Sequence, residues 1–118
     1  MSVEIVPASS IERAAHAAVF NEGYSDYFVP FHVDEATLAY IVETWDVDLD
    51  RSRIALHEGE PVGFANLAVR GTDSWVGGVG VVPAARRQGI ARALMEALIA
   101  EAPGDVVLEV IEQNVAAS

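Results

Sequence analysis

Apolar residues in the first part of the chain recur at the spacing of two amphipathic helices. The first helix is predicted to begin after Ser9, which forms a capping-box pattern with Glu12, and to end at Gly23. Its apolar face is expected to consist of Ile11, Ala15, Ala18 and Val19. The second helix is predicted to follow Asp34 as its N-cap. Its buried stripe has the spacing i, i+3, i+4, i+7 and consists of Leu38, Ile41, Val42 and Trp45.

Alternating or valine-rich segments predict the strands of a sheet. They lie at residues 1–6, 53–57, 61–70, 74–82 and 106–111. The turn Glu58-Gly59-Glu60 joins the second and third strands as a hairpin. A third helix over 87–101 is predicted from its apolar face, which consists of Ile90, Leu94, Ala97 and Leu98. The order β-α-α-β-β-β-α-β therefore predicts an α/β domain with a mostly antiparallel sheet and one crossover helix.

Composition limits the chain to one globular domain and excludes several chemistries. The 118 residues are 52% hydrophobic and 21% charged, which leaves no room for a second full domain. Cysteine and lysine are both absent. Disulfides, thiolate nucleophiles, cysteine-ligated metals, Schiff-base lysines and Walker-A loops are thereby excluded. The three histidines, His16, His32 and His57, lack the spacing of metal ligands, so no metal site is predicted and each is expected at the surface or in packing.

The net charge of −11 argues against binding to nucleic acid or to an anionic membrane and favours cationic partners. The first ten residues do not resemble a signal peptide and no long apolar run occurs, so a cytoplasmic location is expected. All seven basic residues are arginines. Three of them, Arg86, Arg87 and Arg92, fall close together in this otherwise acidic chain. This local reversal of charge is the first indication of a binding site.

The segment from residue 79 to residue 92 runs from a strand through a turn into a helix, an arrangement that can bind an anion. The first N–H groups of a helix lack partners, and the helix dipole adds positive potential there. Gly89 would allow a ligand to approach the backbone, and Ala91 keeps the next position small. The arginines add charge-assisted donors, so a diphosphate is the expected ligand. The alternative is an ordinary helix start with solvated arginines.

Two motifs in this sequence resemble the GCN5-related N-acetyltransferase (GNAT) family. The stretch from Arg86 to Ala91, RRQGIA, is similar to the family's Q/R-x-x-G-x-G/A signature, which binds the pyrophosphate of acetyl-coenzyme A. Leu108-Glu109-Val110 with Asn114 and Ala117 is similar to the L-x-V-x-x-x-N-x-x-A pattern at the family's fifth strand. The family's pattern continues into another helix and two strands. The resemblance therefore predicts a GNAT-like acyl-CoA N-acyltransferase fold over 1–118 that is truncated at its carboxy terminus.

The resemblance implies acetyl-CoA as a cosubstrate, without a metal. Val79 and Val81 would pair through their backbone with the pantetheine arm, and Asn114 would be a further contact. The pyrophosphate would lie on the turn, mainly on its backbone amides, with the first arginine at the rim. The turn residues concerned are Arg86, Arg87, Gln88, Gly89, Ile90, Ala91 and Arg92.

The resemblance also supplies candidates for the catalytic base and the acceptor pocket. Glu109 corresponds to the proposed base of ribosomal-protein N-terminal acetyltransferases that share an L-E-V stretch, although it could equally be an edge-strand residue facing water. Some members have a glutamate where this chain has Trp75, and nearby Asp73 is a weaker candidate. An aromatic connector lies where the family places its acceptor, unless it is simply core. It contains Tyr24, Tyr27 and Phe28.

The predicted function is transfer of an acetyl group to a primary amine of a small cationic molecule or a peptide. The family's usual general acid, a tyrosine, belongs to the helix beyond residue 118, so poor turnover is expected. A non-catalytic acyl-CoA-binding domain, as part of a larger protein, is therefore an alternative. An interaction module is another, in which the edge of the last strand pairs with a second chain as a homodimer.

Overall fold

The computed structural model describes residues 2–23, 33–102 and 106–107. Its strands are β1 (Glu4–Pro7), β2 (Arg53–His57), β3 (Glu60–Arg70), β4 (Asp73–Val81) and β5 (Val106–Val107). Its α-helices are α1 (Arg13–Gly23), α2 (Glu35–Thr44) and α3 (Ile90–Glu101), and short 3-10 helices lie at Ala8–Ser10 and Pro83–Ala85. This element order confirms the predicted α/β fold.

The strands form one sheet in the order β1-β2-β3-β4-β5. The pairs from β1 to β4 are antiparallel, whereas β4 and β5 are parallel because α3 crosses over between them. The β2–β3 turn has positive φ at both Glu58 and Gly59, as a type I′ hairpin requires. In the β3–β4 pair, Asn66 lies opposite Gly78 and Leu67 opposite Val76, so Gly77 forms a bulge in β4.

Helix α1 covers one face of the sheet, with a different buried side from the one predicted. Its buried residues are His16, Ala17, Val19, Phe20 and Gly23. The ring of Phe20 lies 5.0 Å from that of Phe64 on β3, centroid to centroid. The prediction that Ala18 is buried was wrong, because the sheet contacts the side of the helix that carries His16. The helix also begins later than predicted, because Ala8–Ser10 forms a separate 3-10 turn and the first α-helical bond joins the His16 N–H to the Glu12 carbonyl.

Helix α2 has the predicted cap and only part of the predicted buried stripe. The Asp34 carboxylate accepts a hydrogen bond from the Thr37 N–H at 2.7 Å. Leu38 is fully buried, whereas Ile41 and Val42 are half-buried. The prediction of a buried Trp45 was wrong, since this side chain is 60% exposed just beyond the helix. The stripe therefore ends in an exposed aromatic ring.

Helix α3 packs on the opposite face of the sheet. Successive residues of a strand point to opposite faces of the sheet. Phe64 faces α1, whereas a Cβ on its neighbour Gly63 would lie 3.0 Å from Leu94 on α3, so the two helices lie on opposite faces. The buried residues of α3 are Ile90, Leu94 and Leu98. They agree with the predicted face, although the helix begins at Ile90 and not at residue 87. The predicted final strand is described only at Val106–Val107.

Candidate active site

The connection between β4 and α3, which we call the β4–α3 turn (residues 82–89), leaves a series of backbone donors unpaired. The chain leaves β4 through the 3-10 helix Pro83–Ala85 and has positive φ at Arg87 (64°) and Gly89 (76°). The first hydrogen bond of α3 joins the Ala93 N–H to the Gly89 carbonyl at 3.0 Å. Within the described residues, the N–H groups from 87 to 92 have no protein acceptor. They form the amino-terminal end of a helix dipole, which favours an anion.

Gly89 is the N-cap of α3 and adopts a left-handed conformation, φ 76° and ψ 12°. Glycine adopts this conformation without the strain that other residues incur, so glycine is the favoured residue at this position. A Cβ at this position would meet no protein atom within 4 Å. The approach to the backbone at Gly89 is therefore open from outside.

The three arginines of this region have different environments. Arg87 is exposed and, among the described residues, forms no ion pair. Arg92 lies 3.3 Å from Glu96, but both side chains are largely exposed, so this pair contributes little. The guanidinium of Arg86 is turned inward, where it donates to the carbonyls of Val81 and Gly23, each at 2.9 Å. Arg87 and Arg92 are therefore the arginines that remain available to an external anion.

Arg86 holds the end of α1 against β4 at a point where the two backbones nearly touch. A Cβ on Gly80 would lie 2.7 Å from Phe64 Cε1 and 3.4 Å from Gly23 Cα. Carbonyls at the end of a helix lack helical partners, and the guanidinium satisfies one of them at Gly23. We call this contact the α1–β4 joint (Gly23, Phe64, Gly80 and Arg86). It fixes the start of the β4–α3 turn relative to the end of α1.

Strand β4 directs polar backbone groups toward its β5 side at the two predicted positions. The Val82 N–H donates to the Val62 carbonyl at 2.9 Å, so residue 82 faces β3. Because backbone groups alternate in direction along a strand, those of Val79 and Val81 point away from β3. The Val81 carbonyl is already bonded to Arg86. In the described part of the sheet, β5 pairs with β4 only at Ser74 and Trp75, at the other end of the strand.

A cavity of about 400 Å³ lies beside the Gly77 bulge, on the face of the sheet that carries α1. Its lining is mostly apolar and consists of Phe20, Ile41, Trp45, Val47, Asn66, Ala68, Trp75, Val76 and Gly77. Both tryptophans of the chain are among these residues. We call it the tryptophan cavity.

A buried polar pair lies at the wall of the tryptophan cavity. His16 Nε2 lies 3.0 Å from Asn66 Oδ1, and the two residues are 2% and 3% exposed. Burial lowers the pKa of His16, with Arg13 adding a smaller effect in the same direction and the bond to Asn66 opposing it. A neutral imidazole donates through Nε2 to the amide oxygen. His16 thus orients the Asn66 side chain.

The structure describes only some of the residues assigned to catalysis and acceptor binding. Asp73 lies exposed at the start of β4, opposite Arg70. The other candidates lie outside the described residues; they are Tyr24, Tyr27, Phe28, Glu109 and Asn114. Within the described residues no cluster of histidine, aspartate and glutamate could hold a metal ion. None of the described helices is long and apolar enough to span a membrane.

Sequence reasoning missed the tryptophan cavity and the inward orientation of Arg86. One signal for the cavity was present, since His16 and Asn66 are polar residues at positions whose neighbours are apolar. They are 50 residues apart, and only the packing of α1 on β3 brings them together. No comparable signal distinguished Arg86 from the adjacent Arg87.

Comparison with known proteins agrees with the fold and with the family resemblance. The model of the acetyltransferase (GNAT) family matches residues 17–118. No curated protein matches this chain. The fold is similar to that of the ribosomal-protein-S18-alanine N-acetyltransferase from Escherichia coli, with a TM-score of 0.72 and 24% sequence identity. The match covers 98% of this chain and 72% of that chain.

Two further similar structures contain coenzyme A. PaiA N-acetyltransferase from Thermoplasma acidophilum, in complex with coenzyme A, has TM-score 0.67 and 16% identity, covering 98% of this chain and 84% of that chain. A chain of the NatC complex bound to Gag peptide and CoA has TM-score 0.67 and 20% identity, covering 99% of this chain and 79% of that chain. At these identities the similarity shows a shared fold.

Proposed function

The chain belongs to the acetyltransferase (GNAT) family, and from this premise we propose that it binds acetyl-CoA at the β4–α3 turn and transfers the acetyl group to a primary amine of a small cationic molecule or a peptide. The observation that carries the proposal is the series of unpaired N–H groups from 87 to 92 at the start of α3. They lie beside the exposed Arg87 in a chain of net charge −11. A positive site in such a chain is suited to a diphosphate.

The rest of the cosubstrate would extend along β4. The backbone groups of Val79 and the N–H of Val81 point to the β5 side of the strand, where an extended pantetheine arm could pair with them as a strand does. Asn114 is proposed as a further contact of the cosubstrate. Arg86 would act indirectly in this arrangement, because its guanidinium holds the α1–β4 joint.

Acetyl transfer needs a base and a donor to the developing oxyanion. The amine nitrogen attacks the thioester carbon, the carbon–sulfur bond breaks, and coenzyme A leaves as a thiolate while the amine loses a proton. A backbone N–H near the Gly77 bulge would polarise the thioester oxygen, since a bulge interrupts the regular ladder. Glu109 is the proposed base and Asp73 the weaker candidate. Tyr24, Tyr27 and Phe28 are proposed to contact the acceptor.

The proposal is tested by calorimetric titration with coenzyme A. Reversing the charge of Arg87 and Arg92 together (R87E/R92E) is expected to weaken binding by about 2–4 kcal/mol, because charge-assisted hydrogen bonds contribute about 1.5–3 kcal/mol each. The double variant R13E/R51E changes the net charge equally with residues outside the turn and is expected to bind like the unaltered protein. Equal affinity of R87E/R92E and the unaltered protein would overturn the assignment of the turn.

Catalysis is tested separately from binding, by following thiol release from acetyl-CoA in the presence of amines. Release that depends on the amine, with formation of the acetylated amine by mass spectrometry, is the result expected of an acetyltransferase. Coenzyme A binding without any amine-dependent release would instead support a non-catalytic acyl-CoA-binding domain.

A further inference from the structure

We propose that the tryptophan cavity binds the side group of the acceptor, and that the acceptor is a primary amine carrying an aromatic or branched aliphatic group together with a carbonyl oxygen, as in the first residue of a peptide. This inference rests on the acetyl transfer proposed above and names its substrate class. It is carried by the location of the cavity, by its apolar walls and by the polar side chain of Asn66, which lines it.

The location of the cavity suits an acceptor. Gly77 belongs both to the cavity lining and to the bulge of β4. It precedes Val81, the last residue of β4 before the turn, by four residues, which corresponds to about 13 Å along an extended strand. A pantetheine arm that runs from the turn along β4 is therefore directed toward the bulge. An amine bound at the cavity would meet the thioester there.

The walls of the cavity are suited to a large apolar group. Its volume of about 400 Å³ lies within the range of small-molecule sites. Aromatic rings come from three different elements, with Phe20 on α1, Trp75 on β4 and Trp45 after α2. Trp45 is 60% exposed, and an apolar group bound beneath it would remove part of that ring from water.

Asn66 supplies the polar contact of the site. Its side-chain oxygen accepts the hydrogen bond of His16, which leaves the NH₂ group as the part available to a ligand. Among the described contacts, this nitrogen has no hydrogen-bond partner, although the residue is only 3% exposed and lines the cavity. An NH₂ group donates, so it selects an oxygen acceptor on the ligand. The carbonyl next to an amino-terminal amine meets that requirement.

The lining also discriminates against a polyamine. None of the described lining residues is an aspartate or glutamate, so a second ammonium group within the cavity would find no ion-pair partner among them. Among these residues, compensation would come from contact of a cation with the tryptophan rings. An uncharged apolar group fits these walls better.

The test uses the chain's own fluorescence. Both tryptophans line the cavity, so tryptophan emission responds to a ligand bound there. The protein is saturated with coenzyme A and titrated with L-phenylalaninamide, glycinamide, phenethylamine or spermidine. Phenylalaninamide is expected to shift the emission and to bind roughly 10- to 100-fold more tightly than glycinamide, which lacks the apolar group. Phenethylamine, which lacks the carbonyl, is expected to bind about 2- to 10-fold more weakly than phenylalaninamide.

Variants connect the response to the cavity. Trp45→Ala is expected to reduce the preference for phenylalaninamide over glycinamide, in binding and in kcat/KM, toward one. Tyr40→Ala, which removes an equally exposed aromatic ring of α2 outside the lining, is expected to keep the preference. Gly77→Val places methyl groups in the cavity and should reduce the preference in the same way as Trp45→Ala. The fold should tolerate this variant, because a Cβ at Gly77 would lie no closer than 3.7 Å to its neighbours.

The outcomes separate the two proposals. Equal binding and equal acetylation of phenylalaninamide and glycinamide would overturn the cavity assignment and leave the acetyltransferase proposal intact. A stronger response to spermidine than to phenylalaninamide would also overturn it. Failure of every amine to release thiol would overturn the proposed function, whereas a fluorescence response selective for phenylalaninamide would still support the cavity as its binding site.

Discussion

The α1–β4 joint predicts that alanine at Gly80 lowers the stability of the protein. The new Cβ would lie 2.7 Å from Phe64 Cε1, a distance that requires movement of one of the two groups. Phe64 is fully buried and packs on Phe20 at 5.0 Å between ring centroids, so its ring cannot move without disturbing the core. Overpacking of this kind costs about 1–3 kcal/mol. It would exceed the gain of about 0.4–1 kcal/mol that replacing glycine by alanine gives at an unstrained position.

The free energy of unfolding, measured by urea denaturation, is the quantity to compare. Gly77→Ala is a matched control on the same strand, because a Cβ there would lie 3.7 Å from the Asn66 carbonyl oxygen, an ordinary contact. We expect Gly80→Ala to lower the free energy of unfolding by about 1–3 kcal/mol and Gly77→Ala to leave it the same or slightly higher. If the two variants were equally stable, the close packing of Phe64 against Gly80 in the joint would be refuted.

Three further predictions concern single side chains. Arg86→Met keeps a side chain of similar length but removes the hydrogen bonds to the Val81 and Gly23 carbonyls. It is expected to lower the free energy of unfolding in urea by about 2 kcal/mol and to weaken coenzyme A binding measured by calorimetry. Unchanged stability and affinity would contradict the proposed role of the joint. Burial lowers the pKa of His16 in the folded protein, so as the pH falls the imidazole of the unfolded chain is protonated first, near pH 6.5. Below that pH the free energy of unfolding should decrease by at most about 1.4 kcal/mol per pH unit. His16→Gln should show a smaller loss between pH 7.5 and 5.5, and identical pH profiles would exclude this contribution. Asp34→Ala removes the acceptor of the Thr37 N–H and should cost about 1 kcal/mol in thermal or urea unfolding, most of which Asp34→Ser should restore.

Local sequence signals predicted the elements that depend on local chemistry. The second strand, 53–57, was predicted with the bounds that the structure shows, and the hairpin turn after it contains the glycine that its type requires. The strand before the turn and the helix after it were also predicted, although Gly89 delays the start of α3 to Ile90. A left-handed residue at a helix start is hard to predict from periodicity alone. It moves the first residue of the helix by three positions but leaves the hydrophobic pattern unchanged.

Features that arise from contacts between distant segments could not be predicted. Ala18 and Trp45 fit the helical spacing of their neighbours, and only the placement of the sheet decides that both are exposed. Arg86 and Arg87 are adjacent residues of the same type, yet one binds carbonyls within the protein and the other faces outward. The position of the end of α1 makes this difference, and no local pattern in the sequence encodes it.

Strand β1 affects how the sheet can meet other molecules. It is the outermost strand on its side of the described sheet and is only four residues long. It ends in Pro7, which has no N–H to donate, and carries the exposed acidic residue Glu4. Short, charged, proline-terminated edges resist edge-to-edge aggregation because they offer few unpaired groups to an incoming strand. Continuation of the sheet into a second copy of the chain is consequently disfavoured at β1, so the solubility of the folded protein is protected on this side.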